Sequence, residues 1–196
     1  MGVIKINKES VRKQFIDMRN KLERSDLLNK SKCITQVLKQ LECVNNAKNI
    51  MCFVSFGTEV YTHELIKEWI HEGKQVSVPC VANYTKETRN MHGVKISDFD
   101  ELTEGGKYGI LEPKFIEGNI IPPNMFDVII VPGNVFDINK NRIGYGAGFY
   151  DSFLSKVPRE CCKIGVGFDF QVLDKIPFDE HDVPLDLIIT EKRIIK

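Results

Sequence analysis

The stretch FDVIIVPGNVFDINKNRIGYGAGFYD, residues 126–151, decides how we interpret the fold of this chain. It opens with an apolar run, FDVIIVPG, which is typical of a strand buried on both faces of a parallel sheet. Gly144, Gly146 and Gly148 follow at alternate positions, and a helix is expected from about Gly148 to Lys156. A strand, a glycine-rich turn and a helix start are together typical of an anion-binding site, because backbone N–H groups can approach a ligand there.

The spacing of these glycines matches neither of two common phosphate-binding fingerprints. A P-loop requires a Lys followed by Ser or Thr after its last glycine, and this loop has none. The dinucleotide fingerprint G-x-G-x-x-G requires its third glycine one residue later than Gly148. Arg142 adds a fixed charge with forked donors. From spacing alone, a ligand-binding loop and an ordinary flexible turn both remain open.

Regular elements are predicted on both sides of this stretch. Apolar residues at Val11, Phe15, Met18 and Leu22 predict a helix over 8–22 that is capped by Asn7. Ser25 and Thr62 are expected to cap the next two helices, and the second of these helices ends at Gly73. The strands are expected at 49–56, 74–82, 91–96, 126–133, 162–170 and 185–190.

Alternation of these strands and helices predicts the α/β fold class. Strand 49–56, the helix that follows it and strand 74–82 predict a parallel pair. We therefore expect a three-layer, Rossmann-like fold with a mostly parallel central sheet and helices on both faces. Neither a repeat nor a linker is visible, so residues 1–196 are expected to form a single domain.

Composition excludes several classes of function. Lys and Arg together number 27, as do Asp and Glu, so the net charge gives no support to nucleic-acid binding. No apolar run is long enough to cross a bilayer, and the start lacks a signal-peptide core. The six cysteines form no C-x-x-C pair, which favours reduced thiols and a cytoplasmic location without structural zinc. We expect a monomer that binds neither nucleic acid nor membranes.

Residues 126–151 resemble the signature of the 5-formyltetrahydrofolate cyclo-ligase family, also called methenyltetrahydrofolate synthetases. That signature runs roughly V-P-G-x-x-F-D and then R-[LI]-G-[YR]-G-x-G-[YF]-Y-D. Four further segments resemble the family in order along the chain, and they are KESVRKQF (8–15), FVSFGTEVYT (53–62), YGILEP (108–113) and HDVPLDLIITE (181–191). Five segments in register make the resemblance specific.

The resemblance implies an ATP- and Mg²⁺-dependent reaction on a reduced folate. The formyl oxygen of 5-formyltetrahydrofolate would attack the γ-phosphate of ATP to give an iminium phosphate. A neighbouring nitrogen would then close the ring to 5,10-methenyltetrahydrofolate as phosphate leaves. Such chemistry depends on positioning and charge stabilisation, so the protein must supply cations, N–H donors and a magnesium site.

The resemblance also implies roles for individual residues. The implied catalytic residues are Arg142 and Tyr150, and the implied Mg²⁺ ligands are Asp151 and Asp186. The implied ATP-binding residues are Lys8, Arg12, Arg142, Ile143, Gly144, Tyr145, Gly146, Ala147, Gly148, Phe149 and Tyr150. The implied folate-binding residues are Val54, Glu59, Tyr145, Gly146, Ala147, Gly148 and Phe149.

Each of these residues also has an ordinary interpretation. Lys8, Arg12 and Arg19 fall within ~40° of one another on a helical projection, ~70° from the centre of the apolar face. Such a stripe is commonly a solvated basic face, and Arg19 is left without a role. An acidic residue in a first helical turn, such as Asp151, is favoured by the helix dipole alone. Val54 would fit a plain core equally well.

Two further uncertainties follow from the sequence. Ala147, Phe149 and Ser152 depart from the family pattern, and alanine disfavours a positive φ, so the shape of the loop at 147 is left open. Two rival functions also remain open at this point. One is a sugar-phosphate isomerase or deaminase of similar fold, and the other is a non-catalytic module that binds nucleotide or folate.

Overall fold

The computed structural model of the chain describes residues 7–81, 90–105 and 109–196. Its α-helices are α1 (Lys8–Arg19), α2 (Arg24–Gln40), α3 (Glu42–Asn46), α4 (His63–His71) and α5 (Phe149–Leu154). Its strands are β1 (Asn49–Cys52), β2 (Gln75–Val81), β3 (Met91–Ile96), β4 (Thr103–Gly105), β5 (Ile110–Glu112), β6 (Ile120–Ile121), β7 (Val128–Pro132), β8 (Val135–Asp137), β9 (Arg142–Ile143), β10 (Cys162–Val166), β11 (Val172–Leu173), β12 (Leu187–Ile189) and β13 (Ile194–Ile195).

Eight strands form one twisted sheet in the order β13-β12-β10-β7-β1-β2-β3-β6. The five central strands from β12 to β2 are parallel, whereas β13, β3 and β6 pair antiparallel at the two edges. The apolar run of β7 lies in the middle of the sheet, where four of its five residues are buried. Central placement explains the continuous hydrophobicity of this strand, since both of its faces are covered.

Helices cover both faces of the sheet. Along β7, Ile130 packs into a core with α2, α3 and α4, whereas Ile129 packs on the opposite side with Phe153 of α5. The alternation follows from the period of two in a strand. The prediction of a mostly parallel sheet with helices on both faces is therefore confirmed.

The order of strands creates a crevice between β1 and β7. From β1 the chain passes through α4 to β2 on one side, and from β7 it passes through α5 to β10 on the other side. In open α/β sheets, ligands bind at such a switch point, outside the carboxyl ends of the strands. Here those ends lead into Phe53 and Val54 after β1, and into Gly133 and Asn134 after β7.

A small second sheet, β11-β8-β9, connects α1 to this crevice. Val11 and Phe15 of α1 pack against Val135 of β8 and Ile143 of β9. Because Gly144 follows β9 directly, this packing sets α1 beside the glycine-rich loop. The same helix begins as predicted, since the Asn7 side chain accepts a hydrogen bond from the backbone of Glu9.

Several local predictions are wrong. Met18, expected on the buried face of α1, is 39 % exposed, and Arg19 is buried instead. Ser25 lies inside α2, which begins at Arg24 without a side-chain cap. Thr62 does precede α4, but its hydroxyl donates to the carbonyl of Phe53 and does not cap the helix.

Strand boundaries also differ from the sequence prediction. β1 ends at Cys52, four residues before the predicted end of this strand. β3 is antiparallel to β2.

Among the described residues, no helix is long and apolar enough to cross a membrane.

Candidate functional site

The glycine-rich loop, residues 144–148, leads from β9 into α5. Gly146 has φ +97° and Gly148 has φ +70°, and both values lie in the region that favours glycine. Among the described residues, Lys140 is the one residue other than glycine that has a positive φ, so Ala147 does not have one. An alanine is therefore compatible with the shape of this loop.

Arg12 lies directly against this loop. Its Nε donates a hydrogen bond of 2.6 Å to the carbonyl oxygen of Gly144. A Cβ atom added at Gly146 would stand 3.1–3.3 Å from the Arg12 guanidinium. The structure thus brings the cation predicted for ATP into contact with the loop predicted for ATP.

A hydrogen-bonded chain joins the tip of the loop to the segment that follows β1. The hydroxyl of Tyr145 donates to Oε1 of Glu59 over 3.0 Å. Arg19 donates from Nη2 to the Tyr145 hydroxyl over 2.9 Å and from Nε to Thr58 over 3.1 Å. We call Arg19, Tyr145 and Glu59 the Glu59 network.

Glu59 is 5 % exposed, and its burial raises the pKa of its carboxyl group to about 7. The charge of Arg19, the backbone N–H of Phe56 and the hydroxyl of Tyr145 all oppose this rise. A carboxyl group that titrates near neutrality in a crevice is typical of a functional site.

Arg142 and Asp151 form a largely buried ion pair at the other end of the loop. Nη1 of Arg142 lies 2.9 Å from Oδ1 of Asp151, and the Arg142 side chain is 3 % exposed. Burial lowers the pKa of Arg142, and the neighbouring Asp151 opposes this. The guanidinium also lies 5.9 Å from the ring centroid of Tyr150, and the backbone N–H of Val183 donates to Asp151. The two predicted catalytic residues and one predicted metal ligand are therefore neighbours.

Lys8 lies at the start of α1 between two carboxylates. Its Nζ is 2.7 Å from Asp179 and also pairs with Asp182. Asp182 belongs to the segment that reaches Asp151 through the Val183 N–H group. Lys8 therefore lies near the Arg142–Asp151 pair, although its charge is already balanced in this structure.

Asp186, the second predicted metal ligand, has different surroundings. Its Oδ2 accepts a hydrogen bond of 2.7 Å from the backbone of Lys163 and lies 2.8 Å from the Lys163 ammonium. Lys163 is the second residue of β10, so Asp186 lies towards the amino-terminal ends of β10 and β12. Asp151 and Asp186 share no hydrogen-bond partner among the described residues. The described part of the chain also contains no cluster of three or more metal-ligating side chains.

Buried polar atoms without partners occur in the same region. Within the part of the chain that the structure describes, neither amide atom of the fully buried Asn134 has a hydrogen-bond partner, and the hydroxyl of Tyr150 has none either. Buried polar atoms are almost always paired, so each such group calls for a physical explanation. Val54, by contrast, is 5 % exposed and packs in the core, which leaves its predicted folate contact without direct support.

Three residues of this region were not given roles by sequence reasoning. Arg19 lies on the same helical stripe as Lys8 and Arg12, and that stripe was the signal that could have found it. Asp182 lies within the matched segment 181–191, but the sequence does not show that this segment lies beside Asp151. Asn134 carried no local signal, because an Asn after Pro-Gly is ordinary in a turn.

A switch-point crevice with a glycine-rich loop and a charged wall defines an α/β protein that binds small molecules. The sequence model of the "5-formyltetrahydrofolate cyclo-ligase family" matches residues 4–191. The chain therefore belongs to the 5-formyltetrahydrofolate cyclo-ligase family, which is a family of ligases. The resemblance drawn from the five segments and the prediction of a ligase are thus confirmed.

Individual relatives agree with this assignment. The chain is 30% identical to the 5-formyltetrahydrofolate cyclo-ligase of Escherichia coli K12, with 76% of this chain and 80% of that protein covered. It is 28% identical to the mouse protein of the same name, with coverage of 97% and 98%. The NMR structure of Aquifex aeolicus 5,10-methenyltetrahydrofolate synthetase superposes with a TM-score of 0.81 at 30% identity, covering 95% of this chain and 91% of that one.

Proposed function

We propose that the protein converts 5-formyltetrahydrofolate and ATP into 5,10-methenyltetrahydrofolate, ADP and phosphate. The observation that carries the proposal is the meeting of two predicted subsites at the glycine-rich loop. Arg12 contacts the loop at Gly144, and Glu59 contacts it at Tyr145. A single loop between a cationic side chain and an acidic one suits a reaction that transfers a phosphoryl group from ATP to a folate.

In this proposal the triphosphate of ATP binds on the Arg12 side of the loop. Glycines in the left-handed region let successive backbone N–H groups converge on an anion. Arg12 supplies a planar guanidinium, and Lys8 supplies a compact charge once the phosphates take the place of Asp179 and Asp182. The remaining loop residues, including Ile143, Ala147 and Phe149, would contact ATP mainly through their backbone.

The folate binds on the Glu59 side. A reduced pterin presents an amide N–H and an amino group side by side, and an ionised carboxylate is a matching acceptor for such donors. Tyr145 is 40 % exposed, and the centroid of its ring lies 5.4 Å from that of Phe56, so this pair offers an aromatic surface for stacking. Val54 would complete the apolar floor of this subsite.

The reaction follows from this arrangement in two balanced steps. The formyl oxygen attacks the γ-phosphorus, the bond to the bridging oxygen of ADP breaks, and a phosphorylated iminium remains. The neighbouring nitrogen then attacks the formyl carbon and loses its proton, and phosphate leaves with the former formyl oxygen. Arg142 stabilises charge that develops on the phosphoryl oxygens, and the unpaired hydroxyl of Tyr150 is available to donate to the reacting oxygen.

The residues present fit a magnesium ion at Asp151 better than at Asp186. Mg²⁺ binds one or two protein carboxylates together with phosphate oxygens and water, so a three-carboxylate cluster is not required. Among the described residues, the contacts of Asp151 with Arg142 and Val183 both use Oδ1, so Oδ2 would be the atom that binds a metal. Asp186 would have to exchange its contacts with Lys163 for the ion. When bound, Mg²⁺ neutralises charge on the phosphates.

Other parts of the proposal concern the whole chain. We propose that residues 1–196 act as a single domain, because α1 and α5 contribute to the same crevice. The monomeric state and the cytoplasmic location stay predictions. Neither the isomerase nor the non-catalytic module gains support from a specific observation, since the chain belongs to a family of ligases.

One assay tests the proposal directly. Protein, ATP, Mg²⁺ and 5-formyltetrahydrofolate are mixed, and the near-ultraviolet absorbance of the methenyl product is followed together with release of phosphate. We expect both signals to grow in a ratio of one to one and to require ATP. A folded protein that yields neither signal would overturn the proposed function, and phosphate release without product would point to a plain ATPase.

A further inference from the structure

Arg19 is a buried cation to which the proposed reaction gives no task. It is the last residue of α1 and is 4 % exposed, although no carboxylate forms a direct ion pair with it among the described residues. Buried arginines are rare unless they are paired, so its burial needs a reason. Its two hydrogen bonds, to Thr58 and to Tyr145, both lead towards Glu59.

We propose that Arg19 is a positioning residue for the folate, because it holds the Tyr145 hydroxyl against Glu59 and supplies the positive charge of the Glu59 network. The inference rests on the proposed function, and it extends that function to a residue outside the reacting groups. Arg19 would act through Glu59 and Tyr145, without touching either substrate.

The geometry separates Arg19 from the phosphate-binding cations. Arg12 and Arg19 are seven residues apart on one helix, which corresponds to two turns and ~10 Å along the axis. Arg12 contacts the start of the glycine-rich loop, whereas Arg19 contacts the tyrosine at its tip. One helix thus supports both subsites, with its first half at the phosphates and its end at the folate.

The charges around Glu59 can be named from each packed element. Arg19 faces it from α1, Tyr145 from the loop, and the backbone N–H of Phe56 from its own segment, while Tyr150 of α5 is close enough to interact with its charge. Arg19 is the one cation in this set. Loss of its charge would raise the pKa of Glu59 further above 7, so the carboxyl group would be protonated at neutral pH.

The test compares Arg19→Met and Arg19→Lys with the wild-type protein. Glu59 is first titrated in the free protein by NMR of side-chain ¹³C-labelled glutamate, and Glu59→Gln identifies its signal. We expect Arg19→Met to move the midpoint of Glu59 upward by at least about one pH unit, and Arg19→Lys to move it much less, because lysine keeps the charge. Arg24→Met serves as the matched control. Arg24 belongs to α2, lies over the ring of Tyr61 and is not a member of the Glu59 network.

The kinetic part of the test uses the folate KM as a function of pH. In Arg19→Met, we expect the folate KM to rise about tenfold near pH 7 and to approach the wild-type value above about pH 9, with the ATP KM changed less than about twofold. A loss that is equal at every pH would indicate a merely structural role and would overturn the inference. An unshifted Glu59 titration would overturn it as well.

Failure of the inference and failure of the proposed function are distinguishable. If the wild-type protein forms no methenyl product, the proposed function fails, and the folate role of Arg19 fails with it. If product forms but Glu59 titrates alike in the wild-type and Arg19→Met proteins, the proposed function stands and the inference alone is wrong. Should Arg19→Met fail to fold, Arg19→Lys still tests the contact with Tyr145 through the folate KM.

Discussion

The hydroxyl of Tyr145 donates a hydrogen bond to Oε1 of Glu59 over 3.0 Å, although 86 positions separate the two residues in the sequence. This contact closes the crevice between the segment after β1 and the glycine-rich loop. It joins a residue predicted for folate alone to one predicted for both substrates. Any movement of the loop when ATP binds must therefore change the surroundings of Glu59.

Replacement of Glu59 by glutamine should change how stability depends on pH. The pKa of Glu59 is raised from an ordinary value of 4.5 to about 7, so between these values the native state binds a proton that the unfolded state has lost. Stability contributed by this group is therefore present below about pH 4.5 and declines as the pH rises to 7. Because glutamine does not titrate, Glu59→Gln should gain on the order of 3 kcal/mol relative to the wild type between pH 4 and pH 8.

Urea unfolding at several pH values measures this difference. The comparison uses the change with pH and not the absolute stability, because glutamine also alters the hydrogen bond with Tyr145. A difference between the two proteins that stays constant from pH 4 to pH 8 would contradict the raised pKa. In the activity assay, the same variant should raise the folate KM and leave the ATP KM nearly unchanged.

Gly146→Ala should damage the ATP subsite. At φ +97° a Cβ atom is strained by about 1–2 kcal/mol, and it would also press on the guanidinium of Arg12. We expect the ATP KM to rise about tenfold and thermal stability to fall slightly. Gly118→Ala is the control, since Gly118 has no positive φ and no atom of the described residues lies within 4 Å of its added Cβ. Equal effects of the two substitutions would argue against a special role for the loop.

Lys8→Gln should weaken the use of ATP. Lys8 lies between Asp179, which is largely exposed, and Asp182, and such surface pairs contribute at most about 1 kcal/mol to stability. The protein should therefore stay folded while the ATP KM rises roughly 10- to 100-fold and the folate KM changes little. Lys13→Gln, on the exposed side of the same helix, is the matched control. A similar rise of both KM values in Lys8→Gln would refute this assignment.

Much of the fold could be predicted because its signals are local. The apolar run of β7 and the N-cap of α1 at Asn7 each follow from a few neighbouring residues. The reversal of Met18 and Arg19 could not be predicted, because the hydrogen-bond partners of Arg19 are Thr58 and Tyr145, and Tyr145 lies 126 positions away in the sequence. A helical projection ranks residues by polarity and contains no information about partners on other elements.

The same limit applies to the site. The motif around Asp186 places this residue at the start of a strand, but not at a particular edge of the sheet. The direction of β12, which is parallel to β10, decides that edge, and the register between the two strands sets Asp186 beside Lys163. Arg142 and Asp151 are close in the sequence, and one short loop brings them together in the structure.

Asn134→Leu should stabilise the protein without ligands. Both amide atoms of Asn134 are buried without a partner in residues 7–81, 90–105 and 109–196, and each such group costs about 1–3 kcal/mol. Leucine has the same branching as asparagine, with two bulkier methyl groups in place of the amide atoms. Removal of the two unpaired polar atoms outweighs the tighter packing, so we expect a gain of about 1 kcal/mol in urea unfolding and a loss of activity if the amide faces a substrate. Ser77→Ala is the control. It removes the hydroxyl of Ser77 on β2, which is also buried without a partner among the described residues, and it should leave activity unchanged. Lower stability of Asn134→Leu would mean that the amide has a partner, such as an ordered water.

Binding of Mn²⁺ in place of Mg²⁺ should distinguish the two predicted metal ligands. Asp151 keeps Oδ2 available, whereas Asp186 is engaged by Lys163, so Asp151→Asn should weaken Mn²⁺–ATP binding at least tenfold and Asp186→Asn should weaken it less. Electron paramagnetic resonance of the bound ion measures this without turnover. Asp151→Asn should also lose on the order of 2 kcal/mol of stability, because Arg142 stays buried without a counter-charge. If Asp186→Asn has the larger effect on Mn²⁺ binding, the carboxylate of Asp186 must leave Lys163 when ATP binds. The proposal that Asp151 is the better metal ligand is then wrong.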